Sequence, residues 1–328
     1  MIKAQQGTDA EGDTTDSLTI VICAYTDDRW SLLQRAAEMA LKQARSDDEL
    51  LIVIDHNDEL LARCHELPDQ VRVLPNSRRR GLSGARNTAL GAANGSLVVF
   101  LDDDAVPLDG WLDALRAPYA DRRIYGVGGF AAPHWRDKRP RWFPAEFLWV
   151  VGCSYKGLPT DQAPIRNLLG ANMSFRKVAF DLAGNFMEHM GRVGKGVLGC
   201  EETEFSIRLT QVRPEAILMY APSSQVEHYV PRPRTTLAYF VRRCWAEGLS
   251  KAEVTRRVGR SSGLRSERDY VTRVLPLGVW NGIRQTATGD IWGLARSAAI
   301  CAGLAATTAG YYAGSLSHPA NGRDDPGR

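Results

Sequence analysis

After a polar lead-in, the chain alternates short apolar runs with longer amphipathic ones. Residues 18–25 (LTIVICAY) are a continuous apolar run and predict a buried strand. Residues 31–43 carry apolar positions at helical spacing and predict a helix. A second strand is expected over 49–55, a short third over 71–74, and a fourth over 97–101. Between the last two, residues 83–94 read as a helix ending near Gly95, and residues 111–119 read as another. Strands and helices in this order imply a mostly parallel sheet with right-handed crossovers.

Between residues 126 and 170 the periodicity fails. The segment holds Trp135, Trp142, Trp149 and several prolines, which predicts irregular structure over a binding face, or a lid. Helices are then expected over 176–184 and 202–212, a short strand over 216–220, and mostly helix from 235 onward. The stretch 297–316 carries no charge but is rich in Ala, Gly and Thr, so its insertion into a bilayer would be marginal. A helix lying on a membrane surface or packed on the domain is expected there in preference to a span. The resulting division is a disordered lead-in at 1–16, a sheet domain at 17–232, a helical C-terminal region at 233–316, and a loose tail at 317–328.

Composition narrows the class. With 328 residues and 44% hydrophobic content, the chain can build one large core or two smaller ones. A net charge of +3 demands neither nucleic acid nor an acidic partner. The six cysteines are scattered without a CxxC pair, which argues against a zinc cage or a disulfide framework and fits a reducing compartment. The polar N-terminus has no apolar h-region, so no secretory signal is expected.

The candidate chemistry sits at predicted strand ends. Asp102, Asp103 and Asp104 follow directly on the apolar run 97–101. Ligands of open α/β sheets bind beyond the carboxyl ends of strands, and three crowded acids need a positive partner. A divalent cation with a phosphate ligand is the simplest candidate, and a solvated loop capping the next helix is the alternative. Asp55 ends the second strand, where it would contact a base or sugar or cap a helix. Between the two acid clusters, SRRRGLSGARN (77–87) offers Arg78, Arg79, Arg80 and Arg86, fork-shaped donors suited to phosphate or a solvated basic loop. It lacks both the P-loop and the dinucleotide glycine patterns. Glu201, Glu202 and Glu204 open the helix near 202, with Arg208 four residues after Glu204 on the same face. They offer a general base or merely favour the helix dipole. His228, alone, is as readily structural as a ligand.

The order of TIVICAYTDD, LLIVIDHND, RRRGLSGARNTALGAANGSLVVFLDDDAVPLDGWL, GANMSFRKVAF, GCEETEFSIRL and the VEH sequence resembles family-2 glycosyltransferases across about residues 18–250. The resemblance implies a GT-A fold: an α/β, Rossmann-like, mostly parallel mixed sheet flanked by helices, with the helical C-terminal region beyond it. It also implies roles. Thr26, Asp55, Arg80, Arg86, Asn87, Asp102 and Asp103 would bind the nucleotide. Asp102 and Asp104 match the outer acids of the DxD motif, and with His228 would hold a divalent cation, Mn2+ or Mg2+. Glu201 and Glu202 stand where the family has an ED pair, with Glu202 as the base that deprotonates the acceptor hydroxyl. The second position is Glu where the family has Asp. Arg243-Cys244-Trp245 only faintly echoes the QxxRW element of processive synthases, and no processivity is inferred.

The implied reaction is inverting, metal-dependent transfer of a sugar from a nucleotide sugar, in the manner of hexosyltransferases, with release of nucleoside diphosphate. The acceptor would be a hydroxyl of a glycan, a lipid-linked molecule or a small molecule, at or away from a membrane surface, and without nucleic acid. The expected location is cytoplasmic, free or peripheral at the inner face of the membrane. A nucleotidyltransferase on a similar sheet, or a catalytically silent scaffold, is the competing reading.

Overall fold

The computed structural model describes residues 16–190, 199–259 and 268–317. The expected lead-in and tail lie almost wholly outside these residues.

The first third folds as the apolar pattern predicts. β1 (Leu18–Ala24), α1 (Trp30–Leu41), β2 (Glu49–Ile54), α2 (Asp58–Arg63), β3 (Val71–Pro75), α3 (Leu82–Ala92) and β4 (Leu97–Asp102) alternate along the chain. The four strands pair in parallel in the order β3-β2-β1-β4. β1, β2 and β4 are apolar over most of their length because both faces are covered. Strand periodicity sends Ile20, Ile22, Ile52 and Val99 to the α1 side, where they meet Leu33 and Trp111. Val21, Val53, Val98 and Phe100 go to the other side, with Ala85, Ala89, Phe180 and Phe205.

The second half is mixed. β5 (Ala105–Pro107), α4 (Trp111–Arg116), β6 (Ile124–Trp135), β7 (Ala163–Pro164), β8 (Asn172–Arg176), α5 (Val178–Ala183), α6 (Glu201–Val212) and β9 (Ile217–Val230) follow. The sheet order is β3-β2-β1-β4-β8-β6-β9-β5, with β7 on β9. The segment expected to be irregular therefore begins with a strand twelve residues long. Its glycines hide it from a pattern search, and they are needed for close approach: a Cβ at Gly129 would lie 2.2 Å from the Ser224 carbonyl oxygen. β9 likewise runs far past the five residues expected. The register jumps from Gly129↔Ala221 to Phe130↔Gln225, so Pro222 falls in a bulge and does not end the strand.

Beyond the sheet, α7 (Leu237–Val258), α8 (Leu275–Ala287) and α9 (Trp292–Leu316) form the helical region. Phe240, Cys244, Leu275 and Ile300 from these helices share a core with Phe143, Phe147 and Val150 of the segment after β6. α9 contains the uncharged stretch. It lies along α7 with Gly310 against the Trp245 backbone and Gly248 against that of Thr307. No helix among the described residues is long and apolar enough to cross a membrane.

Candidate active site

In-register strand ends gather the acids at one edge of the sheet. Cys23 of β1 pairs with Val53 of β2 and with Asp102 of β4, so Thr26, Asp55 and the Asp102–Asp104 run emerge at the same edge. Asp103 and Asp104 then turn into β5, which pairs antiparallel with β9 so that Ala105 faces His228. The Asp104 carbonyl accepts from the Tyr229 N–H at 2.8 Å. That pairing carries His228 across more than a hundred residues of sequence to the acids. Its Nε2 lies 3.2 Å from Asp104 Oδ1 and 3.9 Å from Asp102 Oδ2. One ligand atom each from Asp102, Asp104 and His228 fall within 4.8 Å of one another. Behind the ring sits Gly152 in the left-handed region, φ +88°, where a Cβ would lie 2.9 Å from the imidazole. Cys153 Sγ is 3.8 Å from Nδ1, so Nε2 is the nitrogen presented to the acids.

Cations from elsewhere hold the acidic run together. Arg29 Nη1 lies 2.7 Å from Asp103 Oδ1 and 2.8 Å from Asp104 Oδ2, and Arg234 Nη2 lies 3.7 Å from the latter. Burial and the neighbouring acids push Asp103 up to about 7 even beside Arg29. Burial acts on Asp104 in the same sense, but His228 and Arg29 outweigh it and hold that carboxyl well below the usual range. Burial alone would lower the His228 imidazole; Asp104 instead pushes it up to about 10. Two carboxylates and one imidazole are a donor set suited to Mn2+ or Mg2+, and the partly exposed Asp102 leaves an approach from solvent. The residues therefore fit a divalent cation.

Arg86 joins this cluster to the start of α6. Its Nη1 donates to Glu201 Oε1 at 2.9 Å, and its Nη2 donates to the Gly170 carbonyl at 3.0 Å and approaches Asp102 Oδ1 at 3.6 Å. The guanidinium is buried. Glu201 Oε2 is also buried and has no partner among the described residues. Glu202, next along, is pushed up to about 8 by burial and by the Glu201 charge. Cys200 precedes the helix in the left-handed region, φ +78°, a conformation other residues than glycine rarely hold. α7 secures that turn: Cys200 Sγ–H donates to Glu247 Oε1 at 3.5 Å, and the Gly199 N–H donates to Ser250 Oγ at 3.3 Å. Arg243 pairs with Glu247 at 2.9 Å and holds it ionised against burial.

The other expected nucleotide residues line the same edge with their own ties. Asp55 accepts from Asn76 Nδ2 at 2.7 Å and from the Gly81 N–H at 2.9 Å, fixing the arginine-rich loop. Arg80 donates to the His56 carbonyl at 2.8 Å, and Thr26 accepts from the Asp28 N–H at 3.2 Å. Asn87 reaches away, donating to the Phe186 carbonyl at 2.8 Å and accepting from its N–H at 3.1 Å. Glu204 pairs with Arg208 at 2.8 Å, as their spacing predicts. Arg29, Arg234, Gly152 and Glu247 carry no local sequence signal for the site, because the site groups they meet (Asp103 and Asp104, His228 and Cys200) lie far along the chain.

Known proteins place the chain in a family. The Glycosyl transferase family 2 profile matches residues 19–183. The glucosyl-dolichyl phosphate glucuronosyltransferase of Haloferax volcanii is 30% identical over 238 residues, 71% of this chain and 76% of that protein. Among solved structures, the mannosyltransferase PcManGT from Pyrobaculum calidifontis, in complex with GDP-Man and Mn2+, superposes with a TM-score of 0.56 at 18% identity, covering 88% of this chain and 86% of that one. GalNAc-T7 with UDP, GalNAc and Mn2+ gives a TM-score of 0.51 at 18% identity over 79% of this chain and 55% of that one. At such identity the two structures speak for the fold, which is the expected GT-A type. The matching profile and the archaeal relative go further: this chain is a glycosyltransferase and belongs to glycosyl transferase family 2.

Proposed function

We propose that the chain transfers a sugar from a nucleoside-diphosphate sugar to an acceptor hydroxyl with inversion at the anomeric carbon. The observation that carries this reading is the Arg86 bridge between Asp102 of the acid cluster and Glu201 of α6. On this reading the diphosphate would sit beside Asp102, near Nη2 of that buried guanidinium, with Glu201 and Glu202 beyond its Nη1. Asp102, Asp104 and His228 would hold Mn2+ or Mg2+, which stabilises negative charge on the departing diphosphate. Thr26, Asp55, Arg80 and Asp103 border the nucleotide along the strand ends, while Arg86 and Asn87 brace that wall. Glu202 takes the proton from the acceptor hydroxyl as the new bond forms; with its carboxyl pushed up to about 8, it is a stronger base than an ordinary glutamate and acts in its ionised fraction, which grows as pH rises toward 8. The name of the archaeal relative favours a lipid-linked acceptor, a hydroxyl on a sugar carried by a lipid phosphate. Such an acceptor would place the enzyme at the cytoplasmic face of a membrane, where it meets its donor.

The test is a transfer assay with a panel of nucleotide sugars, Mn2+ and short-chain lipid-phosphate glycosides, with the product examined by NMR. Release of nucleoside diphosphate with an inverted anomeric signal is expected. Retained configuration, or release of pyrophosphate in its place, contradicts the reading.

A further inference from the structure

The C-terminal helices expose an apolar surface that the catalytic reading does not use. Outside the region 233–316, the exposed large apolar side chains among the described residues are Val178, Leu182 and Val212. Within it, Leu277, Trp280 and Ile283 of α8 face out beside Ile291, Trp292 and Leu294 at the start of α9. Ile283, Ile291, Trp292 and Leu294 lie around the turn between the helices, and Trp280 and Leu277 continue the exposed apolar residues back along α8. Trp280 is 57% exposed and Ile291 76%. The hairpin is held rigidly beneath them, since Gly282 and Gly293 bring the two backbones together and Ser297 Oγ donates to the Val279 carbonyl at 2.8 Å. The tip is therefore a built feature of the fold.

A second observation says what covers it. A cavity of about 540 Å3 opens between the hairpin and the segment before residue 147, and Trp292 forms part of its wall. Arg139, Arg141, Lys156 and Arg296 line it, against the acids Glu146 and Asp290. Glu146 is held by Lys156 at 3.1 Å and Asp290 by Arg296, which leaves the excess of positive charge on Arg139 and Arg141. Over the described residues 268–317, Arg268, Arg273, Arg284 and Arg296 outnumber the acids Asp269 and Asp290, of which Asp269 pairs with Arg273 and Asp290 with Arg296. Exposed Trp and Ile beside an excess of Arg is the pattern of a surface that lies in the headgroup zone of an anionic bilayer. A second copy of this chain would bring the same positive rim against itself, which disfavours self-association.

We propose that the α8–α9 turn and the adjoining exposed side of α8 insert into the headgroup region of a bilayer carrying anionic lipid, with Trp280, Ile283, Ile291, Trp292 and Leu294 buried and the arginine-lined cavity facing lipid phosphate. The docking is peripheral, as befits helices that do not span. It stands independently of the catalytic assignment, since none of these residues belongs to the acid cluster or to α6.

The experiment is flotation of the full chain with phosphatidylcholine vesicles, with and without phosphatidylglycerol. Wild type should float with the anionic vesicles and less with the neutral ones. The double variant Trp280→Glu, Ile291→Asp should lose about tenfold or more of its vesicle partition, because it replaces two inserted side chains by charges. Both positions are exposed, so its melting temperature should match wild type. Arg141→Glu with Arg284→Glu should abolish the preference for anionic lipid. Wild type that floats with neither vesicle overturns the proposal, as does a double variant that floats undiminished. A wild-type dimer in sedimentation velocity that the double variant dissociates would assign the face to a protein contact instead. Nucleotide binding, measured on the same samples, is expected to be unchanged in every variant, so the two readings fail separately.

Discussion

Arg86 Nη1 donates to Glu201 Oε1 at 2.9 Å, with both side chains buried, and so ties α3 of the parallel half to α6 of the mixed half. The bond spans 115 residues of sequence and is where the two halves of the site meet. Removing one member of a buried ion pair strands the other and costs about 3–5 kcal/mol. Arg86→Met should lower unfolding stability by about that amount in urea titration, with Glu201 left unpaired. Arg86→Met with Glu201→Gln should recover a large part of it. If the single variant matches wild type, Arg86 is not the brace described.

Glu202 sets a pH dependence. Its carboxyl lies at about 8 in the fold against 4.5 as an ordinary side chain, raised by burial and by Glu201. Between those values the folded state holds a proton that the unfolded state has released, so stability falls as pH rises through this window and levels off above about 8. The base works only when ionised, so kcat/KM should rise over the same range, with an acidic limb near 8. Glu202→Gln should abolish turnover, and Glu202→Asp should retain the limb at reduced rate. A flat profile from pH 6 to 9 in wild type contradicts the assignment of Glu202 as base.

Glu247 acts at one remove, through the Cys200 turn that α7 secures. Glu247→Gln keeps the shape and weakens the hold on that turn. It should lower kcat by about tenfold through misplacement of the carboxylate pair, with the donor KM unchanged. Glu247→Asp should be closer to wild type in kcat. A change confined to KM would place Glu247 in donor binding.

Gly152 permits His228 to stand where it does. Gly152→Ala would impose both a left-handed backbone on alanine and a contact 2.9 Å from the ring. Mn2+ affinity should fall about tenfold or more, as when the support of a ligand is lost. Isothermal titration with Mn2+ checks this, and unchanged affinity would remove His228 from the ligand set.

Sequence pattern reveals the first half of the fold because β1, β2 and β4 are covered on both faces and so are apolar over most of their length. It fails in the second half for identifiable reasons. β6 places glycine where neighbouring strands crowd it and so looks like loop, and β9 carries Pro222 in a bulge, so only its first residues read as strand. The acid run and the paired glutamates are legible because each is local. That His228 meets Asp104, and that Arg29 clamps Asp103, depends on strand pairing and on contacts 74 or more residues apart, which no local window contains. The resemblance to the family supplied the histidine; nothing supplied Arg29, Gly152 or Glu247.

The most direct test of the account is thermal unfolding with each nucleoside diphosphate, with and without Mn2+, on wild type, Asp104→Asn and Glu202→Gln. A ligand present at a hundred times its Kd stabilises the native state by about 2.7 kcal/mol, which is readily seen as a rise in Tm. The account predicts a Mn2+-dependent rise with one nucleoside diphosphate in wild type, its loss in Asp104→Asn, and its survival in Glu202→Gln. No rise with any nucleotide on folded wild type, or an equal rise in Asp104→Asn, would contradict it.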